Sequence, residues 1–143
     1  MLDIMKKNAD WATLPLRLAL GIVFLMHGAQ KLFGAFSGPG IEGTQGFMAS
    51  LGVVLPGFMG IVVAAVEFFG GLLVLLGLFT RYASLLIAIN MFFAFLLVHM
   101  KNGFFAGSGG YEFVFTLFFV AVALMLTGAG KWSLEKALFK KEF

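Results

Sequence analysis

Four long apolar segments, separated by polar or glycine-rich connections, dominate the hydropathy pattern of the chain. Each is close to the roughly 20 residues that a helix needs to cross the hydrocarbon core of a bilayer. Helices are expected because a backbone in lipid has to satisfy its own hydrogen bonds. The pattern predicts an all-α membrane protein, one four-transmembrane-helix bundle over residues 1–143. The predicted spans cover about residues 14–33, 56–79, 82–99 and 111–127.

The connections predict how the spans are arranged. Pro56 suits the first turn of a helix. Thr80 and Arg81 leave only a tight turn between the second and third spans, so these two are expected to form an antiparallel hairpin. The connection 34–55 includes a weakly amphipathic stretch, which either caps a site on the bundle or serves as a plain connection.

Composition agrees with a membrane location. Apolar residues make up 61% of the chain and charged residues 12%, about half the charged fraction of a soluble domain. The absence of cysteine excludes disulfides, iron–sulfur clusters and covalent haem attachment. The net charge is +3, but the basic residues form no stripe interleaved with aromatic residues, so the lipid bilayer rather than nucleic acid is the expected partner. No cofactor or metal site is visible in the sequence.

The distribution of basic residues predicts the orientation in a bacterial-type inner membrane. With both termini cytoplasmic, only Lys31 and Lys101 face outward, and the connection 34–55 is external. Arg17, one turn into the first span, is expected to snorkel to the cytoplasmic interface; an inverted bundle is the alternative. The other basic residues, including the predicted cytoplasmic tail 131–143, then lie inside: Lys6, Lys7, Arg81, Lys131, Lys136, Lys140 and Lys141.

Glu67 is the most informative polar residue, because it lies about 16 Å from either end of the second span. An ionisable group there costs at least about 2.5 kcal/mol, so it needs a partner, water or a function. It shares a helix face with small residues such as Gly71, which lets another helix approach closely. Two interpretations stay open: an interhelical lock, in which Glu67 is neutral or paired with a base of the first span such as Arg17 or His27, and a proton or ligand site.

The first span carries a basic stripe, because Arg17, His27 and Lys31 fall within about 80° of one another. Gly28 lies beside this stripe and would let a flat ligand or another backbone come close. A haem held by His27 and His99 is not expected, since the two histidines are predicted at different depths and a haem needs them opposed across one iron.

Polar residues of the third and fourth spans complete the candidates. Asn90 is expected to form a helix–helix hydrogen bond. Nine residues separate it from His99, which places the two about 180° apart, so they are not expected to line one narrow site. Glu112 opens the fourth span near the outer surface, where a polar pocket extending down to Glu67 is geometrically reasonable.

Taken together, these motifs resemble the DoxX family of small four-helix inner-membrane proteins, and the resemblance covers most of the chain. It rests on RLALG at 17–21, HGAQKLFG at 27–34, GF to LG over 46–52, EFFGG at 67–71, GLFTR at 77–81, GYE at 110–112 and GAGKWSL at 128–134. The family takes its name from a subunit of an archaeal thiosulfate:quinone oxidoreductase, and other members are associated with redox-stress assemblies. The resemblance implies quinone binding or reduction, or anchoring of an oxidoreductase partner. Its candidate residues are Arg17, His27, Lys31, Glu67, Arg81 and Glu112.

Three functions follow as hypotheses. The first is a quinone-linked subunit of an oxidoreductase, in which Glu67 and His27 handle protons. The second is a proton-coupled transporter or binding protein, and the third is a non-catalytic scaffold for a soluble enzyme. A homo-oligomer is a further expectation. The candidate quinone-binding residues are Arg17, His27, Lys31, Glu67, His99 and Glu112. The candidate structural residues are Asn90, Gly28, Gly71 and Arg81.

Overall fold

The computed structural model describes the backbone of residues 2–143 and the side chains of residues 11–143, so Lys6 and Lys7 of the orientation argument lie outside the described side chains. The described residues are helical, with no strand. A π-helical turn, Phe95–His99, and a 3-10 turn, Met100–Asn102, continue the helix Thr80–Ala94 without a break. The helices are α1 (Leu2–Phe33), α2 (Gly40–Ser50), α3 (Pro56–Leu76), α4 (Thr80–Ala94), α5 (Glu112–Thr127) and α6 (Leu134–Phe139).

The predicted all-helical membrane architecture is confirmed. Three segments are long and apolar enough to cross a membrane: Trp11–Phe33, Pro56–Leu76 and Thr80–Asn102. The predicted fourth span is the shorter apolar helix α5, 16 residues long, or about 24 Å at 1.5 Å per residue. The cytoplasmic location of the termini stays a prediction. Trp11 packs against Trp132 with ring centroids 5.9 Å apart, so the first span begins at the same end of the bundle as the C-terminal segment.

The helices pack as two intimate pairs, α1 with α3 and α4 with α5. The predicted hairpin partners α3 and α4 also touch, although less extensively. Their turn begins at Gly77, whose φ of 68° ends α3 three residues before the predicted limit, as glycine commonly does at a helix C-terminus. The core between the pairs is apolar and fully buried, with Leu20, Ile87 and Leu124 at 0% exposure.

Glycines bring the α1 and α3 backbones into contact. A Cβ atom on Gly28 would lie 2.2 Å from the amide nitrogen of Phe68, and one on Gly71 would lie 2.5 Å from that of Leu25. The group that approaches Gly28 is therefore another helix backbone, one of the two alternatives expected there. Since these neighbours are main-chain atoms, they cannot move aside as a side chain would.

Replacing Gly28 by valine is expected to destabilise the bundle by about 3 kcal/mol, because the added methyl groups must force α1 and α3 apart. Denaturant unfolding in detergent would measure the loss. Gly46→Ala on α2 is the matched control, since its Cβ meets nothing within 4 Å and alanine is favoured in a helix by about 0.5–1 kcal/mol. Equal effects from the two substitutions would contradict the proposed backbone contact.

Arg17 lies inside the protein at what we call the tail end of the bundle, formed by residues 77–80 and 128–143. Its side chain is 1% exposed, so the prediction that it snorkels to the membrane interface is wrong. Its guanidinium donates to the carbonyl oxygens of Val74 and Leu75, each at 3.0 Å. It also donates to three carbonyls of the connection between α5 and α6, those of Ala129, Lys131 and Trp132. The last carbonyls of a helix lack intrahelical donors, and a guanidinium offers five N–H groups in a rigid fork.

Arg81 occupies a matching position on the other helix pair. Its guanidinium donates to the carbonyl oxygens of Met125 and Thr127, at 3.0 and 3.3 Å. These are carbonyls of the last turn of α5, which have no donor within their own helix. Each of the two arginines thus caps the C-terminus of a membrane helix at the tail end.

The predicted cytoplasmic tail is folded onto the bundle. The backbone N–H of Glu135 donates to the carbonyl of Gly77 at 3.1 Å, and the ring of Phe79 packs against those of Phe139 and Phe143. The Glu135 side chain is completely buried, and neither carboxyl oxygen has a hydrogen-bond partner among the described residues. Burial raises the pKa of Glu135 above its usual range, although the nearby N–H groups of Phe79 and Thr80 act in the opposite direction.

Docking of the tail should therefore weaken as the pH rises. A raised pKa in the docked state means that docking is strongest below the ordinary pKa of a glutamate, about 4.3, and is weakened as the pH passes the raised value. The other charged groups that act on this carboxyl are Arg17 and Glu142. We expect the anisotropy of a dye attached through Leu138→Cys to fall as the pH rises above about 4.3, the ordinary pKa of a glutamate. Glu135→Gln should abolish the pH dependence and Glu42→Gln should retain it; a pH-dependent Glu135→Gln protein would contradict the assignment.

Candidate functional site

A cavity of about 530 Å³ lies at the end of the bundle opposite the tail end. We call this the loop end, because α2 and residues 103–110 lie there. Its walls come from all four membrane helices, from α2 and from the loop before α5. The volume lies within the range of about 300–1,000 Å³ that is typical of ligand pockets. Most of the lining is apolar, including Phe24, Met48, Met91 and Leu117.

The charged and amide groups lie at the deep end of the cavity and connect three helices. Glu67 of α3 is 3% exposed. One carboxylate oxygen pairs with Nζ of Lys31 on α1, and the other accepts a hydrogen bond from Nδ2 of Asn90 on α4 at 3.0 Å. The base that pairs with Glu67 is therefore Lys31, a member of the basic stripe predicted on α1, rather than Arg17 or His27. Asn90 forms the kind of interhelical hydrogen bond that its position predicted.

Local packing explains why Lys31 and Glu67 meet. Gly28 lies one helical turn before Lys31, and its close neighbour Phe68 follows Glu67, so the α1–α3 contact holds the two charged residues side by side. Thr44 of α2 holds the C-terminal end of α1 in place. Its buried hydroxyl donates to the carbonyl of Lys31 at 3.3 Å and to that of Gly40 in its own helix at 2.8 Å. The ion pair compensates much of the desolvation that each charge would suffer alone.

The π-helical turn at Phe95–His99 changes the direction in which the His99 side chain projects from the helix. An i→i+5 turn inserts an extra residue relative to an α-helix, which rotates everything after it by roughly 100°. As a result both Asn90 and His99 line the cavity, and the prediction that they lie on opposite faces is wrong. The His99 Nδ1 lies 2.8 Å from the carbonyl oxygen of Gly109, which places this side chain at the rim.

The structure brings only some of the candidate residues together. His27, Lys31, Glu67 and His99 line the cavity with Asn90. Glu112 is close by but serves the loop, where its carboxylate accepts a hydrogen bond from the amide of Ala106 at 2.7 Å. Arg17 lies 14 residues before Lys31 on one helix, about 21 Å away along its axis. Arg17 and Arg81 therefore belong to the tail end and do not contribute to the cavity.

Sequence reasoning did not single out the α2 side chains that form part of the cavity wall. Phe47 and Met48 of α2 line it, as does Leu51 directly after the helix, and α2 packs mainly on α3 and also on α1. The weak amphipathicity of this connection was the available signal, and the cap that it suggested is the arrangement observed. Among the described residues, no group of three or more His, Cys, Asp or Glu side chains is placed to hold a metal ion.

Comparison with known proteins gives a family match. A sequence model of the DoxX family matches residues 12–100, which include the α1–α3 contact and the Lys31, Glu67 and Asn90 network. No solved structure matches the chain.

Relatives of nearly the same length occur in three bacteria. A Bacillus subtilis protein named "Putative oxidoreductase CatD" is 38% identical over 136 residues, which cover 95% of this chain and 93% of that protein. The Escherichia coli "Inner membrane protein YqjF" is 34% identical over 149 residues, covering 96% of this chain and 99% of that protein. An uncharacterised Haemophilus influenzae protein is 28% identical over 130 residues, covering 88% and 90% of the two chains.

Proposed function

Because the chain belongs to the DoxX family and is a multi-pass protein of a bacterial-type inner membrane, we propose that it is a quinone-linked subunit of an oxidoreductase. The observation that carries this proposal is a large apolar cavity whose deep end holds the Lys31, Glu67 and Asn90 network. Apolar walls suit a ring, and a few convergent polar groups suit its oxygen atoms.

The network has unused hydrogen-bonding capacity for a ligand carbonyl. The Lys31 ammonium carries three N–H donors, one of which meets Glu67, and its side chain is 28% exposed. A further N–H can therefore point into the cavity and stabilise negative charge that develops on a carbonyl oxygen during reduction. His27 on the same wall and Glu67 are the groups placed to move a proton.

Electrons for quinone reduction would come from a donor outside this chain. The sequence has no cysteine, which excludes an internal thiol or iron–sulfur relay. A partner enzyme or a reducing substrate would supply them. The name of the Bacillus subtilis relative supports an oxidoreductase function, but it says nothing about which molecule accepts the electrons.

Mass spectrometry of the protein purified in native lipid particles tests the proposal. We expect about one quinone per chain, lost in Lys31→Met and Glu67→Gln while the helical circular-dichroism spectrum persists. Lys101→Gln is the matched control, since Lys101 is an exposed lysine that does not line the cavity. Folded wild-type protein that neither retains nor rebinds added quinone would refute the proposal.

A second function, proton-coupled transport or small-molecule binding, is favoured by the same buried acid. A carboxylate inside a membrane domain is a common proton-coupling group. Proteoliposomes with a pH-sensitive dye would show proton flux that Glu67→Gln abolishes. Absence of both quinone and flux would leave the scaffold function, which would then have to use residues 131–143 in their docked position.

A further inference from the structure

The mouth of the cavity is framed by apolar side chains from three helices. Phe47 of α2, Phe93 of α4, Leu97 of the π-helical turn and Phe113 of α5 all line the cavity. Each of them is also 45–52% exposed. A side chain that lines a cavity and remains half exposed marks an opening. Because all four are apolar, this opening is suited to hydrocarbon rather than water.

The depth of these residues places the opening beside the lipid tails. α4 begins at Thr80 at the tail end, so Asn90 lies about 15 Å along the helix, near the middle of a 30 Å hydrocarbon core. Phe93 and Leu97 lie about 20 and 25 Å from Thr80 on the same scale. The frame thus extends through the leaflet at the loop end, on the surface between α2 and the α4–α5 pair.

Toward the loop 103–110, where the exposed residues Ala106 and Gly109 also line the cavity, hydrogen bonds hold the chain in place. The Asn102 amide donates to the carbonyl of Gly109 at 3.1 Å, next to the contact of His99 with the same carbonyl. Elsewhere at the loop end, the Gln45 amide of α2 donates to the carbonyl of Gly57 at 2.9 Å and ties α2 to the start of α3. Segments with several fixed hydrogen bonds open less readily than apolar side chains change rotamer.

We propose that the cavity has a lateral portal, framed by Phe47, Phe93, Leu97 and Phe113, through which an amphiphilic ligand enters from the bilayer. The polar ring reaches Lys31 and Glu67 at the deep end, and an apolar tail extends through the portal into the lipid. This inference rests on the proposed function for the identity of the ring. The ligand class is therefore a tailed, bilayer-dissolved molecule, and hydrophilic analogues lacking a tail are poor ligands.

Spin labelling tests the direction of the opening, and the absence of native cysteine makes every label site-specific. Nitroxides would be attached to Phe93→Cys, Leu97→Cys and Phe113→Cys in lipid nanodiscs, with the exposed loop residue Lys101→Cys as the control. At the three portal positions we expect collisions with oxygen, which concentrates in lipid, to exceed those with a water-soluble nickel chelate several-fold. The control should show the reverse ratio. Nickel-dominated relaxation at the portal would overturn the proposal whether or not quinone binds.

Exchange kinetics test whether the portal is the route. Leu97→Trp would narrow the opening without touching Lys31 or Glu67, so it should slow both binding and release of a tailed quinone by about tenfold. Lys101→Trp should leave both rates unchanged. Unchanged rates in Leu97→Trp would refute the portal while leaving the quinone site standing. Absence of quinone binding in the wild-type protein, with portal labels still accessible to oxygen, would instead refute the proposed function.

Discussion

Arg17→Met is expected to lower the free energy of unfolding by about 3–5 kcal/mol, the range found when one partner of a buried charged network is removed. The substitution leaves the carbonyl of Leu75 at the end of α3 without its donor, whereas the carbonyl of Val74 loses Arg17 but keeps the backbone N–H of Gly77 at 3.1 Å. The same loss affects the carbonyl of Ala129, for which the Thr13 hydroxyl at 3.0 Å remains as a second donor. Each buried carbonyl left unpaired costs about 1–3 kcal/mol. Denaturant titration in mild detergent, followed by circular dichroism, measures the change.

Arg17→Lys is the conservative comparison. Lysine keeps the charge but lacks the planar, forked guanidinium that reaches carbonyls of both α3 and the 129–132 connection. We therefore expect Arg17→Lys to lower the free energy of unfolding by about half as much as Arg17→Met. Quinone content separates this structural assignment from the one implied by the family resemblance. If Arg17 bound the ligand, quinone would disappear from a fully stable protein, and that result would contradict the capping arrangement. Loss of stability with quinone retained in the folded fraction is the expected outcome.

The second large effect is expected from separating Lys31 and Glu67. Lys31→Met leaves the nearly buried Glu67 carboxylate with only the Asn90 amide as partner, and we expect a cost of about 2–3 kcal/mol. Glu67→Gln should cost somewhat less, since the Lys31 side chain is 28% exposed and can be partly hydrated. Asn90 can still bond to a glutamine carbonyl oxygen.

A double-mutant cycle isolates the pair. The combined Lys31→Met and Glu67→Gln variant should be more stable than the sum of the single losses predicts, by about 1–2 kcal/mol, because no unpaired charge remains. All three variants should lose the quinone, since each removes a group at the deep end of the cavity. Additive losses of stability would show that the two charges do not interact, and quinone binding by the double variant would exclude the pair from the site.

The contrast between Glu67 and Arg17 shows how far reasoning from sequence extends. Glu67 was recognised because its distance from both ends of an apolar span leaves no route to water. Arg17 was assigned to the membrane interface because it lies near the end of its span, and the carbonyls that it binds belong to residues 57–115 positions later in the chain. Neither hydropathy nor spacing reports such a partner.

His99 and the tail illustrate the same division. The facing of His99 depends on the π-helical turn at 95–99, which apolar periodicity does not reveal in a uniformly apolar segment. The tail 131–143 is rich in lysine and is predicted to be cytoplasmic, yet Glu135 within it is fully buried against the bundle. In both cases the local sequence is compatible with several arrangements, and packing against distant residues selects one.

The sequence by itself determined the membrane location, the all-helical fold, the approximate spans, the DoxX resemblance and the position of Glu67 in the middle of a span. Those properties follow from local quantities, namely the transfer of side chains into lipid and the requirement that each backbone segment satisfy its own hydrogen bonds. The tertiary structure decided which base meets Glu67, which arginines cap helices, and that α2 forms a wall of the cavity. These features depend on contacts between residues far apart in the chain, whose free energies are set by the close packing of α1 against α3 and of the tail against the bundle.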